Sequence, residues 1–376
     1  MATGATPGTA AAATAASNSG VVLTSPTLPA SARGGLSTAA REDVRTPVYS
    51  GRVISSQDRP GAVAPLLDDA QLPFAGRPFD RDAVAREHSD LVAEALASPT
   101  ARVLVLRGSQ APARDGALVL PLVAEVPGPT DDVRRPDVYL GRLADGTQVI
   151  LRTFPEDTQL SGLDGARWEG LRTLATVVDP EQTSLLVTAQ AVALWHRDHP
   201  RCPRCGALTQ SIRSGWARRC LEDDSLHFPR TDPAIIVAVV EDGPDPASQR
   251  VLLGRSAAWA GNMYSTFAGF VEPGESAEQA VVREVGEEAG ITVHTVQYQG
   301  SQPWPFPRSL MLGFRALASS DAAVADGEEI LEVRWFTREE LVAAVTDGTV
   351  TLPGAVSIAH ALIVSWLGHK LPETGW

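Results

Sequence analysis

Two periodicities divide the chain. Between about residues 101 and 154 apolar side chains come in short runs broken by turn residues: ARVLVLRG (101–108), GALVLPLVAEV (116–126) and VYLGRLADGTQVILRTF (138–154). Such runs predict strands, with a loop around Asp115-Gly116 and a type I′ hairpin at Asp145-Gly146. The spacing then changes. In EQTSLLVTAQAVALWHR (181–197), Leu185, Leu186, Ala189, Val192 and Trp195 share one helical face. AIIVAVVE (234–241) and VLLGR (251–255) read as buried strands, and a helix is predicted over 276–289. Two further strands follow, LMLGFRAL (310–317) and EVRWF (332–336). A closing amphipathic helix is expected over about 355–368, carrying Ile358, Leu362, Ile363, Trp366 and Leu367 on its apolar side. Strands interleaved with helices make the second half α/β or α+β.

Residues 1–45 do not fit either period. They are rich in Ala, Thr, Ser and Gly, with few large apolar groups to offset the entropy of ordering, and are expected to form a disordered tail. The rest divides into a β-rich N-terminal domain over 46–180, a helix with a cysteine knuckle over 181–230, and an α/β domain over 231–370. The N-terminus lacks the basic and leucine-rich regions of a secretory signal, and no apolar run reaches the roughly 20 residues of a membrane span, so a cytoplasmic protein is expected.

Charge narrows the function. Thirty-two basic against 45 acidic residues give −13, which argues against a protein that coats nucleic acid. Only Lys370 is lysine, a bias attributed first to base composition of the coding sequence.

The three cysteines are too few for a disulfide framework and cluster between Cys202 and Cys220, as a metal site in a reducing compartment would. Cys202-Pro-Arg-Cys205 is a knuckle, and Cys220 follows fourteen residues later. A C-x2-C…C-x2-C framework would put a fourth cysteine at 223, where this chain has Asp223. Three readings stay open: three cysteines with His227, three with Asp223, or a degenerate site. His227 is preferred, because nitrogen accompanies thiolates around zinc more often than carboxylate does. With four protein ligands the zinc, one per subunit, is structural.

The strongest chemical signal is Gly269-Phe-Val-Glu-Pro-Gly-Glu275, then seven residues, then Arg283-Glu284-Val-Gly-Glu287-Glu288-Ala-Gly290-Ile291. Glu284, Glu287 and Glu288 stand at i, i+3 and i+4 on one helical face, where like charges cost roughly 0.2–0.5 kcal/mol each. A hard divalent cation would relieve that repulsion, and Mg²⁺ favours carboxylates together with phosphate oxygens. A merely solvated acidic face would account for the glutamates but not for the flanking glycines, Glu275 and Arg283.

At every defined position this segment resembles the Nudix box, G-x5-E-x7-R-E-U-x-E-E-x-G-U with U aliphatic. The resemblance implies an α/β/α sandwich and hydrolysis of nucleoside diphosphates linked to another moiety, with Mg²⁺ or Mn²⁺. It further implies that Glu284, Glu287 and Glu288 hold metal with the Ala268 carbonyl, and that Arg283 braces Glu275.

Ten residues past the box lies Ser301-Gln302-Pro303-Trp304-Pro305-Phe306-Pro307-Arg308-Ser309, read as a rigid loop whose flat faces suit a heteroaromatic base. The string is similar to the SQPWPFPxS signature of NADH pyrophosphatases, as is the knuckle before it. That likeness covers about residues 180–370. It implies that Gln302 to Ser309 contact the dinucleotide, that Phe270 stacks on a base, and that Phe228 stacks where the family carries tyrosine. It also implies that Ala359 lines the neighbouring subunit's pocket in a homodimer, that Arg172 reaches the ligand, and that Glu329 is a further metal ligand, with Glu328 and Glu332 as alternative registers.

The reaction so implied is hydrolysis of NADH or NAD⁺ to AMP and nicotinamide mononucleotide, with Glu288 or Glu329 accepting the proton of water. An NAD cap on RNA presents the same pyrophosphate. Two rivals are a Nudix pyrophosphatase for ADP-ribose or another dinucleotide, and a nucleotide-sensing regulator that binds without cleaving. The second should have lost box glutamates, and none is missing.

Overall fold

The computed structural model describes residues 65–371 apart from Pro244, Pro246 and Ala260, so the expected tail at 1–45 lies outside the described residues. In chain order the first elements are α1 (Ala85–His88), α2 (Leu91–Ala97), β1 (Arg102–Arg107), β2 (Gln110–Arg114), β3 (Ala117–Leu118), β4 (Val138–Arg142), β5 (Gln148–Phe154), β6 (Arg167–Gly170), α3 (Leu171–Leu174) and α4 (Pro180–Asp198). The six strands form one sheet in the order β3-β2-β1-β5-β4, with β6 also on β2 and β1 parallel to β5. Asp115 and Gly116 both take positive φ (52° and 78°) between paired Arg114 and Ala117, so the two-residue type I′ turn sits here. It does not sit at Asp145-Gly146. There only the glycine is left-handed (φ 86°), and the loop is wider, closed by the Gly146 amide donating to the Leu143 carbonyl.

Capped by Asp179 and begun by Pro180, α4 buries its whole predicted face, Leu185, Leu186, Ala189, Val192 and Trp195. The first four share a core with Leu104, Leu106, Leu140 and Leu151 of the sheet, and with Leu171 and Leu174 of α3. The division expected at 180/181 therefore cuts through a continuous core, because the helix needs the sheet to cover its apolar stripe. The opposite sheet face packs on α2 through Leu91, Val103, Val105 and Ile150.

Next come a three-stranded antiparallel sheet, β7 (Thr209–Ile212), β8 (Ala217–Cys220) and β9 (Leu226–His227), and then the strands β10 (Asp232–Glu241), β11 (Val251–Ser256) and β12 (Phe267–Phe270). They are followed by α5 (Ala277–Ala289), β13 (Val293–Trp304), β14 (Ser309–Ala318), β15 (Ile330–Phe336), α6 (Arg338–Thr346) and α7 (Ile358–Leu367). The last large sheet runs β13-β14-β10-β11-β15, with β12 also on β10, and is mixed because β10 is parallel to β14. Central β10 serves two faces by simple alternation. Ile235, Val237 and Val239 pack with Val281 and Val285 of α5, whereas Ile236 and Ala238 pack with Ile358 and Leu362 of α7. The result is an α/β/α sandwich. Among the described residues no helix is long and apolar enough to cross a membrane.

Candidate active site and metal centres

A capping box at Ser276 and Gln279 starts α5, and Gly290 ends it in the left-handed conformation (φ 65°). Between them the helix presents Glu284, Glu287 and Glu288 to a cavity of about 860 Å³ that Glu328, Glu329 and Asp326 close from the other side. One arginine serves these acids. Arg283 grips Glu275 with Nη2 (2.7 Å) and Nε (3.2 Å), and reaches Glu284 (2.9 Å) and Glu287 (3.0 Å) with Nη1. Its Nη2 also donates to the Phe270 carbonyl, tying the loop before the helix to the helix itself. The hydrogen bonds from Arg283 hold the Glu275 carboxyl below its usual range, whereas burial pushes Glu284 up.

Gly269 owes its place to the same packing: a Cβ there would lie 1.9 Å from Glu284 Oε1. Glu288 is the deepest of the acids, only 6% exposed, and its Oε2 has no hydrogen-bond partner. Burial first, and then the charges of Glu284, Glu329 and Asp326, push its carboxyl up to about 8, while the Ala268 amide opposes the rise. Carboxylates this close, with an orphaned buried oxygen among them, fit a divalent cation with oxygen ligands.

A second cavity of about 900 Å³ adjoins the first, and Ala268, Glu288, Met311 and Glu329 line both. Its apolar wall includes Trp304, Trp259 and Ile236, and Arg172 and Ala359 also line it. Segments more than a hundred residues apart thus meet beside the glutamates. Arg172 lies over Trp304 and Phe306 (5.2 and 4.3 Å to the ring centroids). Ala359, implied to line a neighbouring subunit's pocket, lines this cavity within its own chain.

The SQPWPFPRS segment is not a loop throughout. Ser301 to Trp304 finish β13, paired with β14, and only Pro305 to Arg308 turn. Its residues separate by role. Trp304 and Ser309 face the cavities. Gln302 is fully buried and donates to the Val356 carbonyl (2.9 Å), so it braces the chain instead of facing a ligand. Phe306 packs inward on Trp304 (5.2 Å) and Phe74 (6.3 Å). Pro305, Phe306 and Pro307 line a separate cavity of about 330 Å³, and Arg308 pairs with Asp232 (2.8 Å). Pro303 sits opposite Leu310 in the strand pair. Phe270, 59% exposed, borders the acidic cavity; Phe228, 50% exposed, lines neither large cavity and lies under Arg213. Glu332, the alternative to Glu329, points away to Arg255 (3.5 Å). Asp326, Met311 and Trp259 escaped sequence reasoning; Asp326-Gly327 was a visible turn signal, but nothing local marked the other two.

At the knuckle, ligand atoms of Cys202, Cys205, Cys220 and Asp223 all lie within 4.8 Å of one another. Amides point at the sulfurs, Arg204 to Cys202 (3.4 Å), and Glu222 and Asp223 to Cys220 (3.4 and 3.5 Å). His227, the ligand preferred on chemical grounds, is outside this group. It sits on β9 with Nε2 3.0 Å from Ser225 Oγ, and Ser225 in turn holds Asp223 by hydroxyl and amide. The turn after Cys220 carries Asp223 back toward the sulfurs, whereas strand pairing fixes His227 beside Arg218. Four converging ligands, three of them thiols, suit zinc.

Comparison with known proteins finds relatives of both centres. The NUDIX domain model matches residues 230–352, and the NADH pyrophosphatase zinc ribbon domain matches 197–228. The NAD-capped RNA hydrolase NudC of Mycobacterium bovis is 42% identical over 245 residues, covering 61% of this chain and 74% of that protein. NudC of Stutzerimonas stutzeri is 42% identical over 227 residues, covering 60% and 76%. Human NAD-capped RNA hydrolase NUDT12 is 39% identical over 198 residues, covering 50% of this chain and 42% of that protein.

Proposed function

The chain belongs to the Nudix hydrolases, in the family of the NAD-capped RNA hydrolases, and from that premise we propose how its residues carry out the reaction. It hydrolyses the pyrophosphate of NADH or NAD⁺ to AMP and nicotinamide mononucleotide, and removes the NAD cap from RNA. The observation that carries the reading is the joining of the two cavities at Glu288 and Glu329, one walled by carboxylates and the other by Trp304 and Arg172.

Glu284, Glu287, Glu288 and Glu329, with the Ala268 carbonyl, would hold Mg²⁺ or Mn²⁺. Such ions, when bound, neutralise phosphoryl oxygens and lower the pKa of a bound water. The remaining work falls to the chain. Arg283 and Glu275 fix the loop over residues 270–275 against α5, so that Gly269 can lie on Glu284. The buried, unpartnered Glu288 Oε2 is placed to take the proton of the attacking water. Phe270 stacks on one base at the cavity mouth. Trp304, with Arg172 over it, offers a flat and positively charged wall for the other half of the dinucleotide.

Phe228, half exposed and lining neither of the two joined cavities of its own chain, supports a homodimer in which it completes the partner's site. Zinc held by Cys202, Cys205, Cys220 and Asp223 would be structural, and cysteines kept reduced to bind it favour a reducing compartment such as the cytoplasm. Product analysis after incubation with NADH, NAD⁺ and NAD-capped RNA, each with Mg²⁺ or Mn²⁺, tests the proposal. AMP and nicotinamide mononucleotide are expected from the first two, and 5′-monophosphate RNA from the third. No cleavage of any of the three would overturn it.

A further inference from the structure

Glu329 sits on no helix or strand, yet it borders both cavities. Something must hold a loop glutamate against the repulsion of Glu284 and Glu288. The segment between β14 and β15 is tied at two points. The Val324 amide donates to the Ala289 carbonyl at the end of α5 (2.9 Å), and the Glu329 carbonyl accepts from the Ala257 amide just past β11 (2.9 Å). Between these ties the backbone reverses at Gly327 (φ 78°), whose amide donates to the Ile330 carbonyl (3.0 Å). Inside that reversal, one oxygen of Asp326 accepts three successive amides: Glu328 at 2.6 Å, Glu329 at 2.9 Å and Ile330 at 3.1 Å.

A single Asp oxygen capping one or two amides is ordinary turn chemistry. Three amides on Oδ1 fix the directions of three consecutive residues at once, and the middle one is Glu329. The side chains of the first two residues so held, Glu328 and Glu329, line the acidic cavity.

We propose that Asp326 is a positioning residue: through Oδ1 it clamps the Glu328–Ile330 backbone and so presents Glu329 to the cation site formed with Glu284, Glu287 and Glu288. The proposal rests on the hydrolase reading for its kinetic consequences and on geometry alone for its structural ones. An acceptor, not a charge, performs this role. Asparagine keeps an oxygen in the same place and should therefore substitute, and alanine should not.

The test compares Asp326→Asn and Asp326→Ala in the full chain. Amide hydrogen exchange of residues 328–330 is expected to stay near wild type in D326N and to accelerate at least tenfold in D326A, with the remaining exchange and the melting temperature little changed. Mn²⁺ binding, followed by electron paramagnetic resonance without substrate, should weaken about tenfold in D326A and less than threefold in D326N. For NADH hydrolysis at saturating Mn²⁺, D326A should lower kcat with KM within about twofold. Equal damage in D326N and D326A would overturn the proposal, since Asp326 would then act through its charge. Faster exchange in D326A with unaltered Mn²⁺ binding would also overturn it, leaving a turn stabiliser with no bearing on Glu329. If the wild-type protein cleaves no pyrophosphate, the hydrolase reading fails, yet exchange and Mn²⁺ binding still decide the role of Asp326.

Discussion

Glu288→Gln should make the metal-free protein more stable at alkaline pH while abolishing hydrolysis. Glu288 ionises near pH 8 in the folded protein against an ordinary value of 4.5, because it is buried beside Glu284 and Glu329. With the folded value raised, its stabilising contribution is complete below about pH 4.5 and is lost as pH climbs through 8. Each pH unit in that window removes about 1.4 kcal/mol. The interval from 4.5 to about 8 therefore amounts to at most about 5 kcal/mol, a sizeable part of the roughly 5–15 kcal/mol that holds a protein folded. Glutamine carries no titrating group and lifts one repulsion from Glu284. The assay is thermal unfolding of both proteins, dialysed free of Mg²⁺ and Mn²⁺ with zinc retained, from pH 5 to 8.5. Wild type should fall progressively behind E288Q, by up to roughly 10–20 °C at the alkaline end if 1 kcal/mol shifts the midpoint by about 2–4 °C. Adding Mn²⁺ should restore wild type and leave the variant unmoved. Parallel pH profiles, or undiminished NADH cleavage by E288Q, would refute the reasoning.

Other substitutions probe separate parts of the structure. Gly269→Ala would set a methyl group on Glu284, and kcat/KM for NADH should fall about 10–100-fold with the fold retained by circular dichroism. Arg283→Lys keeps a charge but cannot grip Glu275 with two nitrogens while also bonding the Phe270 carbonyl; weaker Mn²⁺ activation than in wild type is expected, read from the Mn²⁺ concentration at half-maximal rate. Zinc by elemental analysis should be one per chain in wild type and His227→Ala and well below one in Asp223→Ala; the reverse order would restore histidine as the ligand. Arg152 and Asp137 form a buried pair in the first sheet, with side chains 2% and 4% exposed. Asp137→Ala should cost about 3–5 kcal/mol in denaturant unfolding, because it strands a buried guanidinium.

How legible the molecule was depended on the range of the interactions involved. The i, i+3, i+4 glutamates and the alternating residues of β10 are local patterns, and local geometry alone places them on one helix face and on two sheet faces. The second cavity is different. Arg172, Trp304 and Ala359 meet only because α3, which carries Arg172, packs with α4 on the first sheet and β13 ends beside α7, and no local period encodes that meeting. SQPW read as a loop because it opens a run with three prolines, but strand pairing with β14 tolerates Pro303 in an edge strand. Asp223 was ranked below His227 on ligand chemistry, whereas the turn after Cys220 brings Asp223, and not His227, within reach of the three sulfurs.

Arg283 has a consequence for how the acidic site fills. With its Nη1 on both Glu284 and Glu287, the helix already holds a counter-ion of its own. A divalent ion that takes these two carboxylates does not enter an empty trap of negative charge; it wins an exchange against a guanidinium tethered by Glu275 and the Phe270 carbonyl. The incoming ion therefore gains only the difference between two electrostatic bargains, and the displaced cation stays within a bond's rotation, ready to return. On the proposed reading, such a site would release its metal readily, and its occupancy would follow the Mg²⁺ or Mn²⁺ concentration around it.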